Sequence, residues 1–268
     1  MNESTPTQMP FFAGYLQFDV QSGAIEQNLA SVQKGLNQIS TSAPEVSRGI
    51  IVLPELWATG FAYEKLPELS KKMPEVQKYL QTQAAEHGLF LAGSLPEHDD
   101  GSFYNTLFVT GPEGLSGAYR KQRLFSPMAE ESFFVPGTNP QPIRTALGSI
   151  AALVCYDLRF PELLRTQTAL GADLLVISAQ WPAARLGHWR ILVQARAIEN
   201  QMFVVASNRC GTTDQTTFGG HSLIVGPDGS IILEAGEQEE SRGVMIDPVR
   251  IESARALFST VPDKNKGA

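Results

Sequence analysis

Three residues stand where this chain could do chemistry. Cys155 closes the apolar run Ile150-Ala151-Ala152-Leu153-Val154 and opens Tyr156-Asp157-Leu158-Arg159-Phe160-Pro161-Glu162. A buried strand would therefore deliver a thiol at its end, just before the chain turns into a helix. Strand ends of this kind carry reactive groups in α/β proteins, because the backbone beneath is rigid and the loop above leaves access. A thiol so placed is a candidate nucleophile; it is also a candidate for plain packing, since free cysteines are often buried as small hydrophobes. Glu55 holds a matching place after Ile50-Ile51-Val52-Leu53-Pro54 and before Leu56-Trp57-Ala58-Thr59-Gly60-Phe61. A carboxylate flanked by apolar residues needs a partner or a task, and partial desolvation would lift its pKa toward that of a general base. A structural ion pair at a turn satisfies the same spacing. Lys121, in Tyr119-Arg120-Lys121-Gln122-Arg123-Leu124-Phe125, ends a strand-like run where a surface cation is ordinary. Cys210, in Asn208-Arg209-Cys210-Gly211, reads as structural.

The elements that must position these residues follow from periodicity. Phe11 to Val20 predicts a first strand, and Ile25, Leu29, Val32, Leu36 and Ile39 mark one face of a helix. A strand over Gly49 to Pro54 is stopped by proline, a helix over Pro74 to Glu86 starts on one, and a strand over Leu89 to Ser94 follows. Phe103 to Thr110 and Ala118 to Lys121 form a hairpin across Gly111-Pro112-Glu113-Gly114. The second half alternates again: strand Ser149 to Val154, helix Pro161 to Leu170, strand Asp173 to Ser178, helix His188 to Asn200 and strand Met202 to Ala206. A last hairpin spans Ser222 to Leu233 and turns at Pro227-Asp228-Gly229. Alternation argues for α/β packing, while the hairpins exclude a purely parallel sheet; two mixed sheets covered by helices satisfy both. The rival, one doubly wound sheet binding a nucleotide, lacks GxGxxG and a Walker-A loop.

Composition narrows the function classes. The chain has 268 residues, 43% apolar, with a net charge of -7, so no basic field steers it to nucleic acid or anionic lipid. No apolar run approaches a bilayer span, and the polar start lacks the pattern of a secretory signal. Two cysteines are too few for a disulfide framework and make no CxxC pair, which fits a reduced compartment, the cytoplasm. No sequence repeat or long linker interrupts the chain, so 1–268 is expected to be one domain, with residues 1–10 and 262–268 as flexible ends.

Leu53-Pro54-Glu55, Tyr119-Arg120-Lys121 with Leu124-Phe125, and the octet from Cys155 to Glu162 occur in the order of the nitrilase superfamily of carbon-nitrogen hydrolases, which this chain resembles along nearly its whole length. Ala195-Arg196-Ala197-Ile198-Glu199-Asn200-Gln201 and Gly220-His221-Ser222 extend the resemblance. It implies an α-β-β-α sandwich of two mixed sheets, assembled as a homodimer or a larger oligomer through helices on one face. It implies Cys155 as nucleophile, Glu55 as base, Lys121 as the cation facing the tetrahedral intermediate, and Glu130 as a second glutamate, placed by its spacing to Pro136-Gly137. Glu131 is the adjacent register. The backbone N–H of Tyr156 would join Lys121 at the oxyanion. No metal or other cofactor is required.

Tyr156-Asp157-Leu158-Arg159-Phe160 resembles the Nit-type amidases, unlike the Trp-Glu that follows the cysteine in true nitrilases. Gln180-Trp181-Pro182-Ala183-Ala184-Arg185 with His188-Trp189 resembles bacterial omega-amidases, which act on short omega-amides of dicarboxylic acids such as 2-oxoglutaramate. Such a substrate carries a free carboxylate, and Arg185, just past the strand that follows the cysteine strand, would hold it in a bidentate pair or else pair with a nearby acid at the surface. Trp181 would wall the pocket or pack in the core. Arg159 reads as a structural charge partner near the helix start, and His221 takes no catalytic role. A deaminated-glutathione amidase shares the cysteine octet and is the nearest alternative; a non-catalytic sandwich protein is the rival from another class.

Overall fold

The computed structural model describes residues 9–213 and 216–261. The first layer of elements is β1 (Phe11–Gln17), α1 (Ile25–Ser42), β2 (Gly49–Val52), α2 (Leu66–Leu69), α3 (Met73–His87), β3 (Phe90–Asp99), β4 (Ser102–Gly111) and β5 (Gly114–Arg120). The second is β6 (Ile143–Thr145), β7 (Gly148–Val154), α4 (Pro161–Ala169), β8 (Leu174–Ala179), α5 (Leu186–Asn200) and β9 (Phe203–Asn208). The chain closes with β10 (Cys210–Thr213), β11 (Thr216–Gly219), β12 (Leu223–Val225), β13 (Ile231–Glu234), β14 (Glu240–Ile246) and α6 (Val249–Leu257). Each expected strand and helix is present with shifted ends; of the expected flexible ends 1–10 and 262–268, residues 1–8 and 262–268 lie outside the described residues. No helix among the described residues is long and apolar enough to cross a membrane.

Two six-stranded mixed sheets pack face to face, ordered β14-β1-β2-β3-β4-β5 and β13-β12-β9-β8-β7-β6. In each, three parallel strands (β1, β2, β3; β7, β8, β9) are flanked by antiparallel ones. Although the sequence shows no repeat, the topology is therefore doubled.

Alternation along the strands explains the layers. Phe11, Ala13 and Tyr15 of β1 and Ile50 and Val52 of β2 face the core between the sheets, while Phe12, Leu16 and Ile51 face α1 and α3. Both faces are covered, so the strands read as continuous apolar runs rather than as a half-buried alternation. The anticipated face of α1 buries Ile25, Val32, Leu36 and Ile39. α3 ends at Gly88, whose φ of 66° supplies the left-handed cap that closes the helix and turns the chain into β3. Serines stitch the sandwich at one end: Ser178 Oγ donates to the Leu53 carbonyl at 2.7 Å, Ser207 Oγ to the Leu16 carbonyl at 2.7 Å, and the N–H of Ser94 donates to Ser178 Oγ at 3.1 Å.

Candidate active site

Glu55, Lys121 and Cys155 come from different strand ends and meet at one end of the sandwich. Pro54 stops β2, since it has no N–H to continue the ladder. Glu55 then turns away, its carbonyl accepting from Gln180 Nε2 at 2.6 Å and the next N–H, that of Leu56, donating to Ser94 Oγ at 2.8 Å. Leu56 has a φ of 42°. The turn also needs Gly93 beneath it, because a Cβ there would lie 2.8 Å from the buried ring of Trp57. Lys121 leaves β5 with its N–H donating to the Asn105 carbonyl at 2.9 Å. Cys155 follows β7 at a φ of 48°, left-handed although it carries a side chain, and opens the short 3-10 turn Cys155–Arg159. Such backbone costs on the order of 1–3 kcal/mol and persists where the surroundings over-determine it.

Lys121 is 2% exposed, Glu55 1% and Glu130 0%, so this is a buried charge cluster and not a surface ion pair. Lys121 Nζ donates to Glu55 Oε1 at 2.8 Å and to both oxygens of Glu130 at 2.9 and 2.8 Å. Glu130 Oε2 also accepts the Phe125 N–H at 2.7 Å, which folds the 3-10 turn Glu130–Ser132 back onto the lysine. Glu131, the adjacent register, faces solvent. Asn105, on β4, donates from Nδ2 to Glu55 Oε1 at 2.8 Å and to Glu130 Oε1 at 3.3 Å. Sequence reading missed it, and its signal was a lone amide inside the strand-like run Phe103 to Thr110.

The electrostatics follow from burial. Desolvation raises the Glu55 carboxyl above its ordinary range, Lys121 opposes this, and the charge of Glu130 adds to it. The Cys155 thiol is pushed well up by burial and by Glu55, with Lys121 pulling the other way, so the thiol keeps its proton at neutral pH. Lys121 is held charged by Glu55 and Glu130 against the cost of its own burial. Glu55 Oε2 is buried and accepts no hydrogen bond from a described residue.

A cavity of about 410 Å³ opens over Cys155, Glu55, Lys121 and Glu130. Its walls are aromatic: Phe61, Tyr63, Phe125, Tyr156, Trp181 and Phe218. Tyr156 is half-buried and packs edge-on against Phe125, at 5.0 Å between centroids. Trp181 both walls the cavity and is buried, and its Nε1 donates to the Cys155 carbonyl at 3.3 Å. Arg185 is exposed at the mouth with its guanidinium 5.5 Å from the Phe125 ring centroid. Arg159 departs from the expected structural charge partner: it faces the same cavity, lies 4.5 Å over the Trp181 ring, and reaches only His188 at 3.4 Å. Neither arginine pairs with an acid among the described residues. Cys210 is buried away from this cluster, and His221 pairs with Glu234 at 3.0 Å.

Comparison with known proteins gives the family. Residues 13–257 match the family model described as carbon-nitrogen hydrolase. A 2-oxoglutaramate amidase of Bacillus subtilis is 35% identical over 250 residues, covering 92% of this chain and 93% of its own. The omega-amidase YafV of Escherichia coli is 35% identical, covering 73% of this chain and 75% of its own. In three dimensions Nit3 of Saccharomyces cerevisiae, described as a member of branch 10 of the nitrilase superfamily, superposes with a TM-score of 0.88 at 26% identity, over 99% of this chain and 100% of that one. Fold and sequence together define an enzyme that hydrolyses carbon-nitrogen bonds, an amidase. The chain belongs to the carbon-nitrogen hydrolase family.

Proposed function

We propose that this protein is an omega-amidase: it converts the terminal carboxamide of a short dicarboxylic monoamide, such as 2-oxoglutaramate, to carboxylate and ammonia through a thioester on Cys155. The observation that carries the reading is the buried Lys121 ammonium held between Glu55 and Glu130 beneath the thiol. The relatives named 2-oxoglutaramate amidase and omega-amidase support the substrate class.

The Cys155 sulfur attacks the amide carbon while Glu55, through its free Oε2, takes the thiol proton. Because the thiol is protonated at rest, base and nucleophile act together and no preformed thiolate is needed. The oxyanion is met by the Lys121 ammonium, which turns toward it a proton held at rest by the Glu130 carboxylate, and by the N–H of Tyr156 in the first turn of the 3-10 segment, where N–H groups lack carbonyl partners. Collapse of the intermediate breaks the C–N bond, and Glu55 returns the proton to the leaving ammonia. Water, deprotonated by the same carboxylate, then attacks the thioester, and the acid leaves as sulfur regains its proton. Glu130 keeps Lys121 in place.

The distal carboxylate of such a substrate meets Arg185 and Arg159, two guanidiniums that pair with no acid among the described residues, each seated on an aromatic wall. The whole chain works as one domain and as a homodimer or larger oligomer: Ile191 and Ile198 stand exposed two turns apart on α5. Two free thiols suit a reducing compartment, the cytoplasm.

The test is ammonia release over a panel of omega-amides, neutral amides, nitriles and deaminated glutathione, with Cys155→Ala beside the wild type. Omega-amides should turn over best, and mass spectrometry should trap an acyl adduct on Cys155. A folded, active Cys155→Ala protein would end the mechanism; preference for deaminated glutathione would move the substrate class.

A further inference from the structure

Asp157 lies two residues beyond Cys155 and is 0% exposed. The chemistry above makes no use of it, yet its carboxylate accepts four hydrogen bonds. Oδ1 takes the N–H groups of Gln122 at 3.2 Å and Arg123 at 2.8 Å; Oδ2 takes the Tyr119 hydroxyl at 2.9 Å and the Val154 N–H at 3.2 Å. These donors have a pattern. Tyr119 near the end of β5 and Gln122 and Arg123 on the loop that leaves it bracket Lys121 in one sheet, and Val154 immediately precedes Cys155 at the end of β7 in the other. A single carboxylate thus ties the backbone around the lysine to the backbone around the cysteine. Its bond to Val154 also closes the turn in which Cys155 adopts its left-handed φ.

Ionisation matters to this arrangement. Four donors converge on two oxygens, and only the ionised carboxylate can accept all four without presenting a proton of its own to one of them. Burial opposes the charge and pushes the carboxyl up to about 6, while Lys121 and the donors favour the ionised form. The Tyr119 hydroxyl keeps its proton, because burial and the Asp157 charge both raise its pKa.

We infer that Asp157 is a positioning residue whose carboxylate sets the placement of Lys121 against Cys155 and holds Cys155 in its left-handed turn. The inference rests on the reading of Cys155 and Lys121 given above.

Asp157→Asn is the direct test. Its amide keeps the shape but replaces one acceptor oxygen with a donor. On the Oδ1 side that NH2 opposes two backbone N–H groups; on the Oδ2 side it opposes Val154, while the Tyr119 hydroxyl can turn to accept. Misplacement of groups that act on the transition state should lower kcat by about ten- to a hundred-fold while KM changes by less than about two-fold. Circular dichroism and a melting curve verify the fold. A folded variant with wild-type kcat, or with a loss confined to KM or to melting temperature, overturns the inference. Should Asp157→Asn not fold, Tyr119→Phe decides, since it removes one of the four donors and leaves the carboxylate in place. A loss in kcat of about two- to ten-fold at constant KM supports the role, and wild-type kcat overturns it. Cys155→Ala runs alongside: activity there sinks the nucleophile reading, whereas a dead Cys155→Ala beside a fully active Asp157→Asn sinks only the positioning role.

Discussion

Replacing Glu130 with glutamine tests the charge cluster at the point where structure and titration make separate demands. Glu130 gives both oxygens to Lys121 Nζ, at 2.9 and 2.8 Å, and accepts from Phe125 and Asn105 at 2.7 and 3.3 Å. Glutamine has one oxygen for these donors, so its NH2 must face an N–H, and Lys121 keeps only Glu55 as an anionic partner. A hydrogen bond to a charged group contributes about 1.5–3 kcal/mol, and loss of that much placement energy in the transition state lowers kcat by about ten- to a hundred-fold. The second demand concerns pH. Glu55 acts as a base only when ionised, so kcat/KM falls as pH drops through its pKa. Burial raises that pKa most, Lys121 lowers it, and the Glu130 charge raises it. Removing the Glu130 charge therefore moves the acid limb of the profile to lower pH even as the maximum falls. Ammonia release measured across a pH series reads both effects, and a melting curve checks that the variant is folded. An unchanged maximum, or an acid limb moved to higher pH, refutes the argument.

Arg159→Ala and Arg185→Ala should each reduce kcat/KM for an omega-amide bearing a carboxylate by about ten- to a hundred-fold, the cost of a lost charge-assisted contact, and leave a neutral amide of equal length nearly untouched; equal losses on both substrates would remove that arginine from the specificity pocket. Asp157 has a pH signature of its own, since its carboxyl is pushed from 3.8 up to about 6. The unfolded chain releases this proton first, so the contribution to stability is full below about pH 4 and is lost as pH rises to about 6, at roughly 1.4 kcal/mol per pH unit. Asp157→Asn should flatten that part of the melting-temperature profile, and an identical slope in both proteins would contradict the assignment. Ile198→Lys, on the exposed face of α5, should shift the oligomer toward monomer in light scattering; a wild-type chain already monomeric at working concentration would refute assembly.

The reactive strand ends were legible because each interrupts an apolar run. Glu55 and Cys155 stand out where covered strands stop, and burial on both faces makes those runs long. What escaped was whatever depends on distant pairing. β14 is a polar edge strand that pairs with β1 across more than two hundred residues, as Tyr15 with Arg242, so no local pattern announces it. β6, β10 and β11 are only three or four residues long. The β3–β4 hairpin was missed although Asp100-Gly101, both at positive φ, carries ordinary turn chemistry. Arg159 was read as an ion-pair partner because it opens a helix; its place over Trp181, a residue from the next strand's end, is a tertiary fact.

The doubled topology bears on how activity arises during folding. Glu55 and Lys121 leave one sheet and Cys155 the other, and the sheets are joined at that end by Ser178 on the Leu53 carbonyl and Ser207 on the Leu16 carbonyl. These contacts link residues 125 and 191 positions apart, and such long closures are slow to form. Local helices and hairpins can form before the two sheets dock, yet neither sheet holds a working constellation alone. Regain of amidase activity after dilution from denaturant therefore times the meeting of the two sheets, and helical signal returning ahead of activity would separate the birth of the halves from their union.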